Sequence, residues 1–482
     1  MNHDIHLGVT GLRRSGKTVF LTALIYQLEQ RGSDGLDAFK NHGVKLWPGR
    51  IVGQNELRAF PYQDMLGRLR QKEPCWPPST AEESQLTLKM AYSAKRYSWG
   101  KKAMYWVGRR ARDGGTITLH LHDYPGEFLL DIDLPNHTYD EWSTAAISGM
   151  KAQCLPASQE YERSLNEALH TPASSSSESP VGTDVERLLS DLRAAYGDFV
   201  SAARKHGMEM LQPGMVLSQW DDEGEVREPP PPMPFVPLPD SLPSDHPFRA
   251  RMRHAYQEYC KSKVRPFRNR LNQSTRQLVL VDVLRVLRNG VECFNDTERC
   301  IKAIIGSYAY TTPARKLANL VPLPSAVLPR RHIDRVLFAA TKADHATRNH
   351  RANMVRLLQE LVNGTRGAVA KSVWNVDYEW FTSIRATADE VGEWNGRPAE
   401  GLNGKLKEAP YHESPPPWNP GVVPSTWPCP KADGTDEWPF KGKMYDFLQF
   451  RPVPLPLRNG AEWPHMNLDK VLWKLFSGCF HN

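Results

Sequence analysis

Near the start of the chain Ile5, Leu7 and Val9 alternate with His6 and Gly8, a period of two that predicts a short buried strand. The period then changes. Val19, Phe20, Leu21, Ala23, Leu24, Ile25 and Leu28 give an apolar helical face, with only a glycine-containing loop between strand and helix. Further on, Leu86, Leu88 and Met90, then Tyr105-Trp106-Val107, then Ile117, Leu119 and Leu121 read as strands separated by glycine-containing turns. They predict an antiparallel extension beside the first strand. From 137 to 275 the pattern is helical, with stretches near 138–169, 184–207 and 248–270. Strands return at 278–284, 336–340 and 380–384, with an apolar helix face at 354–362 and a closing helix at 468–476. Strands alternating with helices on both sides of a helical region predict an α/β fold. Its mostly parallel sheet is flanked by helices, and ligand is expected at the carboxyl ends of the strands.

Two stretches interrupt the helical region: a serine-rich run within 171–182 and a proline-rich run at 228–247. Neither has the composition to pack a core of its own. The first reads as flexible and the second as an extended spacer, with a polyproline docking site as the alternative. A Pro/Gly-rich excursion at 391–439 has no assignment.

Composition narrows the function classes. The 482 residues could fill two to four average domains or one large domain with insertions. The net charge of +7 is modest, and basic residues are interleaved with acidic ones, so specific nucleic-acid binding is not expected. Seven cysteines form no C-x-x-C pair, which indicates neither a zinc site nor a disulfide framework and fits a reduced cytosol. The first strand starts by about residue 4, leaving no room for a signal peptide, and no apolar run is long enough for a membrane span. The expectation is a cytoplasmic protein whose membrane contact, if any, is peripheral.

The loop after the first strand is Gly11-Leu12-Arg13-Arg14-Ser15-Gly16-Lys17-Thr18, which fits G-x-x-x-x-G-K-[ST] between a strand and a helix. Such a loop turns backbone N–H groups toward one point, where the positive end of the helix dipole adds to the field. Phosphate fits there. Gly11, Arg14, Ser15, Gly16, Lys17, Thr18 and Val19 are therefore candidate nucleotide contacts, with Lys17 reaching the β- and γ-phosphates and the Thr18 hydroxyl ligating Mg²⁺.

The strand Leu119-His120-Leu121-His122 ends in Asp123-Tyr124-Pro125-Gly126, a D-x-x-G segment at a strand's carboxyl end. Asp123 is placed to hold Mg²⁺ through a water, and the Gly126 N–H to meet the γ-phosphate. His120 and His122 share a strand face and read as packing residues, because the sequence places no acidic or cysteine partner beside them. A later strand runs into Thr341-Lys342-Ala343-Asp344, which matches [NT]-K-x-D. A carboxylate at Asp344 can accept two parallel hydrogen bonds from guanine N1–H and N2–H₂, a donor pair adenine lacks, while the Lys342 stem lies against the base. The rival reading of this tetrapeptide is a helix N-cap at Asp344. One strand further, in Thr382-Ser383-Ile384-Arg385-Ala386-Thr387, a backbone N–H near Ala386 is a candidate for guanine O6, with Arg385 and Thr387 beside it. Thr80, or Ser79 as the alternative, is the candidate threonine that senses the γ-phosphate through Mg²⁺.

In motif order the chain resembles the Ras-like P-loop GTPases. More closely, it resembles the YcjX family of bacterial stress-associated GTPases in its Gly11–Thr18 loop, its His122-Asp123-Tyr124-Pro125-Gly126-Glu127 segment, its Thr341-Lys342-Ala343-Asp344 and its Ile384-Arg385-Ala386-Thr387. The resemblance implies a Ras-like nucleotide domain carrying a large helical insertion after switch II, and the pattern of elements assigns 1–136 and 276–482 to the domain and 137–275 to the insertion. The resemblance also implies GTP or GDP with Mg²⁺, and a cytoplasmic protein of stress responses working near the inner membrane. Two departures from the Ras-like pattern bear on catalysis. Arg13 stands where small Ras-like enzymes carry glycine, and Glu127 where many carry a water-orienting glutamine. Arg13 or Arg14 could supply an arginine finger in cis, neutralise bound phosphate or, for Arg13, block a partner's finger. Glu127 could orient water, provided a cation offsets its charge. The readings are thus a slow GTP-hydrolysing switch, or a GTP/GDP-stabilised scaffold whose insertion or proline-rich run recruits a protein. An ATP-dependent enzyme is disfavoured by Asp344.

Overall fold

The structure, a computed structural model, describes residues 2–12, 14–53, 57–78, 82–95, 112–153, 156–170, 181–206, 208–219, 232–309, 333–365, 375–394, 397–407, 423–427 and 447–480. These residues divide into two compact units, one within Met1–Tyr124, Gln273–Phe294 and Ala318–Asn482, the other within Pro125–Asn272 and Asn295–Leu317.

The first unit is built on one twisted sheet. Its strands are β1 (Asn2–Gly11), β2 (Val44–Leu46), β3 (Arg50–Val52), β4 (Ser84–Lys95), β5 (Arg112–Asp123), β6 (Arg276–Val281), β7 (Arg335–Ala340) and β8 (Asn375–Trp380). They lie in the order β2-β4-β5-β1-β6-β7-β8, with β3 also paired to β4. From β5 to β8 every pairing is parallel, while β4 runs antiparallel to β5. One face of β1 carries Ile5, Leu7 and Val9, which join Leu119, Leu121, Leu278, Leu280 and Leu337 in a core with Phe20, Leu24 and Ile25 of the helix Lys17–Tyr26. The closing helix Leu468–Phe476 adds Leu468, Val471, Leu472 and Leu475 to the same core. The Arg276 guanidinium donates to the Leu475 carbonyl, and that of Arg335 to the Lys474 carbonyl and, at 3.0 Å, to the Ser477 hydroxyl. Cations thus meet the negative end of that helix, where its last carbonyls lack helical partners. A separate hairpin, β9 (Thr387–Trp394) with β10 (Arg397–Gly404), follows β8.

Two strand boundaries differ from those expected. β6 stops at Val281 because Asp282 caps the helix Val283–Asn289, its carboxylate accepting the Arg285 N–H at 3.1 Å. β8 ends at Trp380, where a strand was expected to begin, and the segment after it is a loop. The strand expected at 105–107 and most of the serine-rich run lie outside the described residues.

The second unit contains the helices Tyr139–Gln153, Pro156–His170, Val181–Lys205 and Pro247–Tyr259. The proline-rich run is no spacer in its described part. Phe235, Val236 and Leu238 are each 0% exposed, and Phe235 packs edge-on against Trp142, Tyr256 and Tyr259. Hydroxyl groups satisfy three successive carbonyls of the run. Tyr139 donates to Val236, Tyr161 to Pro237 and Ser143 to Leu238, each at 2.7 Å, and Ser143 also accepts the Leu238 N–H. Proline brings no N–H to be satisfied, so prolines interleaved with large apolar residues can enter a core once their carbonyls find donors. Buried Asp131 closes a second polar knot, accepting the Gly214 and Met215 N–H groups, both at 2.9 Å, and the Tyr259 hydroxyl at 2.5 Å. Burial raises its carboxyl to about 6, against the pull of these hydrogen bonds. No helix of the described residues is long and apolar enough to cross a membrane.

Candidate functional site

The phosphate-type loop leaves β1 at Gly11, where a Cβ would stand 2.2 Å from the Ser15 hydroxyl oxygen and 2.8 Å from the Leu280 side chain, so only glycine fits. Arg14 (φ 60°) and Gly16 (φ 84°) take left-handed backbone, and the Ser15 N–H closes the turn on the Leu12 carbonyl at 3.0 Å. The helix Lys17–Tyr26 then starts with no side-chain cap and no acidic residue in its first turn. The buried Ser15 hydroxyl has no hydrogen-bond partner among the described residues. A helix start without capping groups, an orphaned hydroxyl and a lysine form a set that suits an anion.

Lys17 itself is nearly buried. Its ammonium lies 3.0 Å from Asp123 Oδ1 and donates to the Tyr124 carbonyl at 2.6 Å. The adjacent pairing of β1 and β5, with Val9 opposite Asp123, brings these groups together. Ser84 donates to the other Asp123 oxygen at 3.4 Å. The Thr18 hydroxyl faces the Pro78 carbonyl at 3.4 Å, which brings the segment leading to Ser79 and Thr80 beside Thr18. Ser79, Thr80 and Arg13 lie outside the described residues. Val19 is partly buried against the hydrophobic core.

The division between the two units falls inside the D-x-x-G segment, so Gly126 and Glu127 belong to the second. There Gly126 precedes the short helix Glu127–Leu130 with an ordinary φ of −61°. The Glu127 carboxylate is 3.1 Å from the Arg204 guanidinium, whose other nitrogen donates to the Leu217 carbonyl.

At the end of β7, Lys342 adopts φ 57° and its ammonium reaches Asp282 Oδ2 at 2.7 Å. Burial pushes the Asp282 carboxyl up, but the Lys342 charge and hydrogen bonds from Lys342 and the Arg285 N–H outweigh it and hold the group below its ordinary value. Asp344 is 1% exposed: Thr382 donates to Oδ1 at 3.0 Å, and the Ala386 N–H to Oδ2 at 2.7 Å. The N–H expected at guanine O6 is therefore given to Asp344. The Asp344 carbonyl accepts from the Thr387 hydroxyl, and Arg385 turns its Nε to the Thr387 carbonyl at 2.8 Å, so 382–387 wraps the aspartate. Asp344 does not cap the short helix Ala343–His345, whose N-cap position is Lys342. A carboxylate offers about four lone-pair sites, so two hydrogen bonds leave acceptor capacity for a base edge. The Thr341 hydroxyl is buried with no hydrogen-bond partner among the described residues.

Three groups near these motifs are not singled out by the sequence. Asp282 ends an apolar strand run and is a strand-end carboxylate legible in principle. Thr382 lies in the expected base loop, but its bond to Asp344 needs the fold. Gln277 accepts from the Tyr124 hydroxyl at 2.7 Å over Gly8, where a Cβ would stand 2.4 Å from the Gln277 side-chain oxygen. No local signal joins residues that far apart in sequence.

A mostly parallel sheet with a phosphate-type loop after its central strand, a lysine–aspartate pair at the neighbouring strand end and a T-K-x-D turn two strands away has the architecture of a P-loop NTPase. The chain belongs to the YcjX-like family, DUF463, which matches residues 5–479. It is 30% identical, over 98% of its own length and 95% of the relative's, to a protein named Ras-like GTPase YcjX from Escherichia coli (strain K12). A protein of the same name from Shewanella oneidensis is 29% identical over 98% of this chain and 93% of its own.

Proposed function

We propose that this protein is a guanine-nucleotide-dependent switch that hydrolyses GTP slowly with Mg²⁺. The observation that carries the reading is Lys17 held between Asp123 and the Tyr124 carbonyl beside a helix start that no side chain caps. Its relatives' name, Ras-like GTPase, supports it. On nucleotide binding Lys17 would exchange those oxygens for β- and γ-phosphate oxygens, with Gly11, Arg14, Ser15, Gly16 and Val19 lining the loop. Thr18 and Asp123 would hold Mg²⁺, with Thr80 or Ser79 completing the set. The ion neutralises charge on the phosphate oxygens. The free lone pairs of Asp344 would accept from guanine N1–H and N2–H₂, with Thr341, Lys342, Arg385, Ala386 and Thr387 around them.

Gly126 would meet the γ-phosphate and Glu127, once released from Arg204, would orient water. Arg13 or Arg14 would supply further positive charge. Residues 1–136 and 276–482 would form the nucleotide domain and 137–275 an insertion that engages a protein partner. The buried Phe235–Leu238 stretch argues against the proline-rich run as the docking surface. A cytoplasmic stress-response role near the inner membrane rests on the family resemblance alone.

A scaffold that binds without turnover is favoured by one observation, the engagement of Glu127 by Arg204. Phosphate release from excess GTP with Mg²⁺ separates the two. Release beyond one equivalent per chain, absent in Lys17→Ala, supports the switch. Tight GTP binding with no such release leaves the scaffold.

A further inference from the structure

On the sheet face opposite the Ile5–Leu7–Val9 core, strand register brings three metal-ligating side chains together. His6 on β1 stands directly opposite His120 on β5, and their imidazoles stack at 4.4 Å between centroids with planes 16° apart. Asp4, two residues earlier on the same face, lies where both rings point: its Oδ1 is 2.8 Å from His120 Nε2 and its Oδ2 3.5 Å from His6 Nε2. One ligand atom from each residue falls within 4.8 Å of the others. A tetrahedral zinc with bonds of about 2.0–2.1 Å separates its ligand atoms by roughly 3.3 Å, a spacing these atoms approach, and seating an ion would require the two nearly parallel rings to tilt until their in-plane lone pairs converge.

We propose that Asp4, His6 and His120 form a three-ligand site for a zinc-type divalent transition metal, with solvent as the fourth ligand. The donor set selects the ion class. Two imidazoles with one carboxylate suit zinc, cobalt, nickel or copper, whereas Mg²⁺ and Ca²⁺ require oxygen ligands. A supporting group is also in place. Thr87 on β4 pairs with His120, and its hydroxyl lies 3.1 Å from His120 Nδ1, where it can accept a hydrogen bond from Nδ1–H and so leave Nε2 as the ligand. The three side chains are 20% (His6), 34% (His120) and 55% (Asp4) exposed, open enough to admit an ion and a water. His6 precedes Gly11 by five residues of strand, roughly 17 Å at about 3.3 Å each, so the site is separate from the phosphate-type loop and its Mg²⁺.

The test uses the full chain, stripped with a chelator and titrated with Co²⁺ as a visible probe, then with Zn²⁺. The expected result is one equivalent of Co²⁺ with the absorption of a four-coordinate nitrogen–oxygen site, displaced by Zn²⁺ and not by Mg²⁺. Asp4→Asn and Thr87→Val should each weaken binding about tenfold or more, and His6→Gln/His120→Gln should abolish it. Glu83→Gln, which disturbs the neighbouring His122–Glu83 pair (3.0 Å), should leave it unchanged. Circular dichroism checks that each variant folds. No stoichiometric Co²⁺ uptake by the wild-type chain, or uptake undiminished in the double-histidine variant, would overturn the proposal.

Discussion

The two units bury carboxylates in opposite ways. In the first, Asp123 and Asp282 are each held by a lysine ammonium, Asp344 by one hydroxyl and one N–H, and two hydroxyls nearby, Ser15 and Thr341, lack hydrogen-bond partners among the described residues. In the second, Asp131 is closed by two backbone N–H groups and a tyrosine hydroxyl, all from its own unit. The first arrangement is exchangeable: a flexible ammonium can trade a carboxylate for a phosphate, and orphaned donors await an acceptor. Burial alone therefore does not mark a functional carboxylate: Asp123 and Asp282 differ from Asp131 in having lysine partners, while Asp344 shares its kinds of partner and differs in accepting two hydrogen bonds rather than three.

This contrast predicts which variants lose ligand and which lose stability. Lys17→Ala should weaken GDP binding by on the order of a hundredfold or more with the fold intact, measured by calorimetry and circular dichroism. Unchanged affinity would remove Lys17 from the phosphate loop. Phe235→Ala should instead cost about 3–5 kcal/mol in chemical denaturation while leaving the preference for GDP over ADP as it was. If it proves neutral, the proline-rich run is not core. Asp344→Asn should lower GDP affinity roughly a hundredfold and raise that for a xanthine nucleotide. A variant with the original base preference would reduce Asp344 to a structural role.

The smallest effect concerns pH. The Asp131 carboxyl titrates near 6 when folded against an ordinary 3.8, so between these values the native state holds a proton the unfolded state has released. Stability from this group falls as pH rises through that window. Asp131→Asn should lose about 1–3 kcal/mol, because its single NH₂ opposes one of the two N–H groups of Gly214 and Met215 that bond different carboxylate oxygens, and should lack the slope. Denaturant curves across the window compare the two; identical slopes would mean the carboxyl does not titrate there.

What the sequence revealed, and what it hid, follows the same physical line. Local periodicity was enough for β1, the helix after it and the closing helix, because each carries its apolar pattern within a few turns. The loop and the T-K-x-D turn were legible because their chemistry is contiguous. The fate of 228–247 was not, since prolines look like a linker until Tyr139, Ser143 and Tyr161 supply donors from distant helices. His120 read as packing because Asp4 and His6 reach it only through the register of β1 on β5. Strand pairing is the information a single sequence withholds.

The most direct test of the central claim is a calorimetric titration of nucleotide-stripped protein with GDP and then ADP in Mg²⁺. The account predicts tight, near-stoichiometric GDP binding and ADP binding weaker by several powers of ten. Equal affinity for the two would contradict it, taking Asp344 and the 382–387 loop out of base recognition.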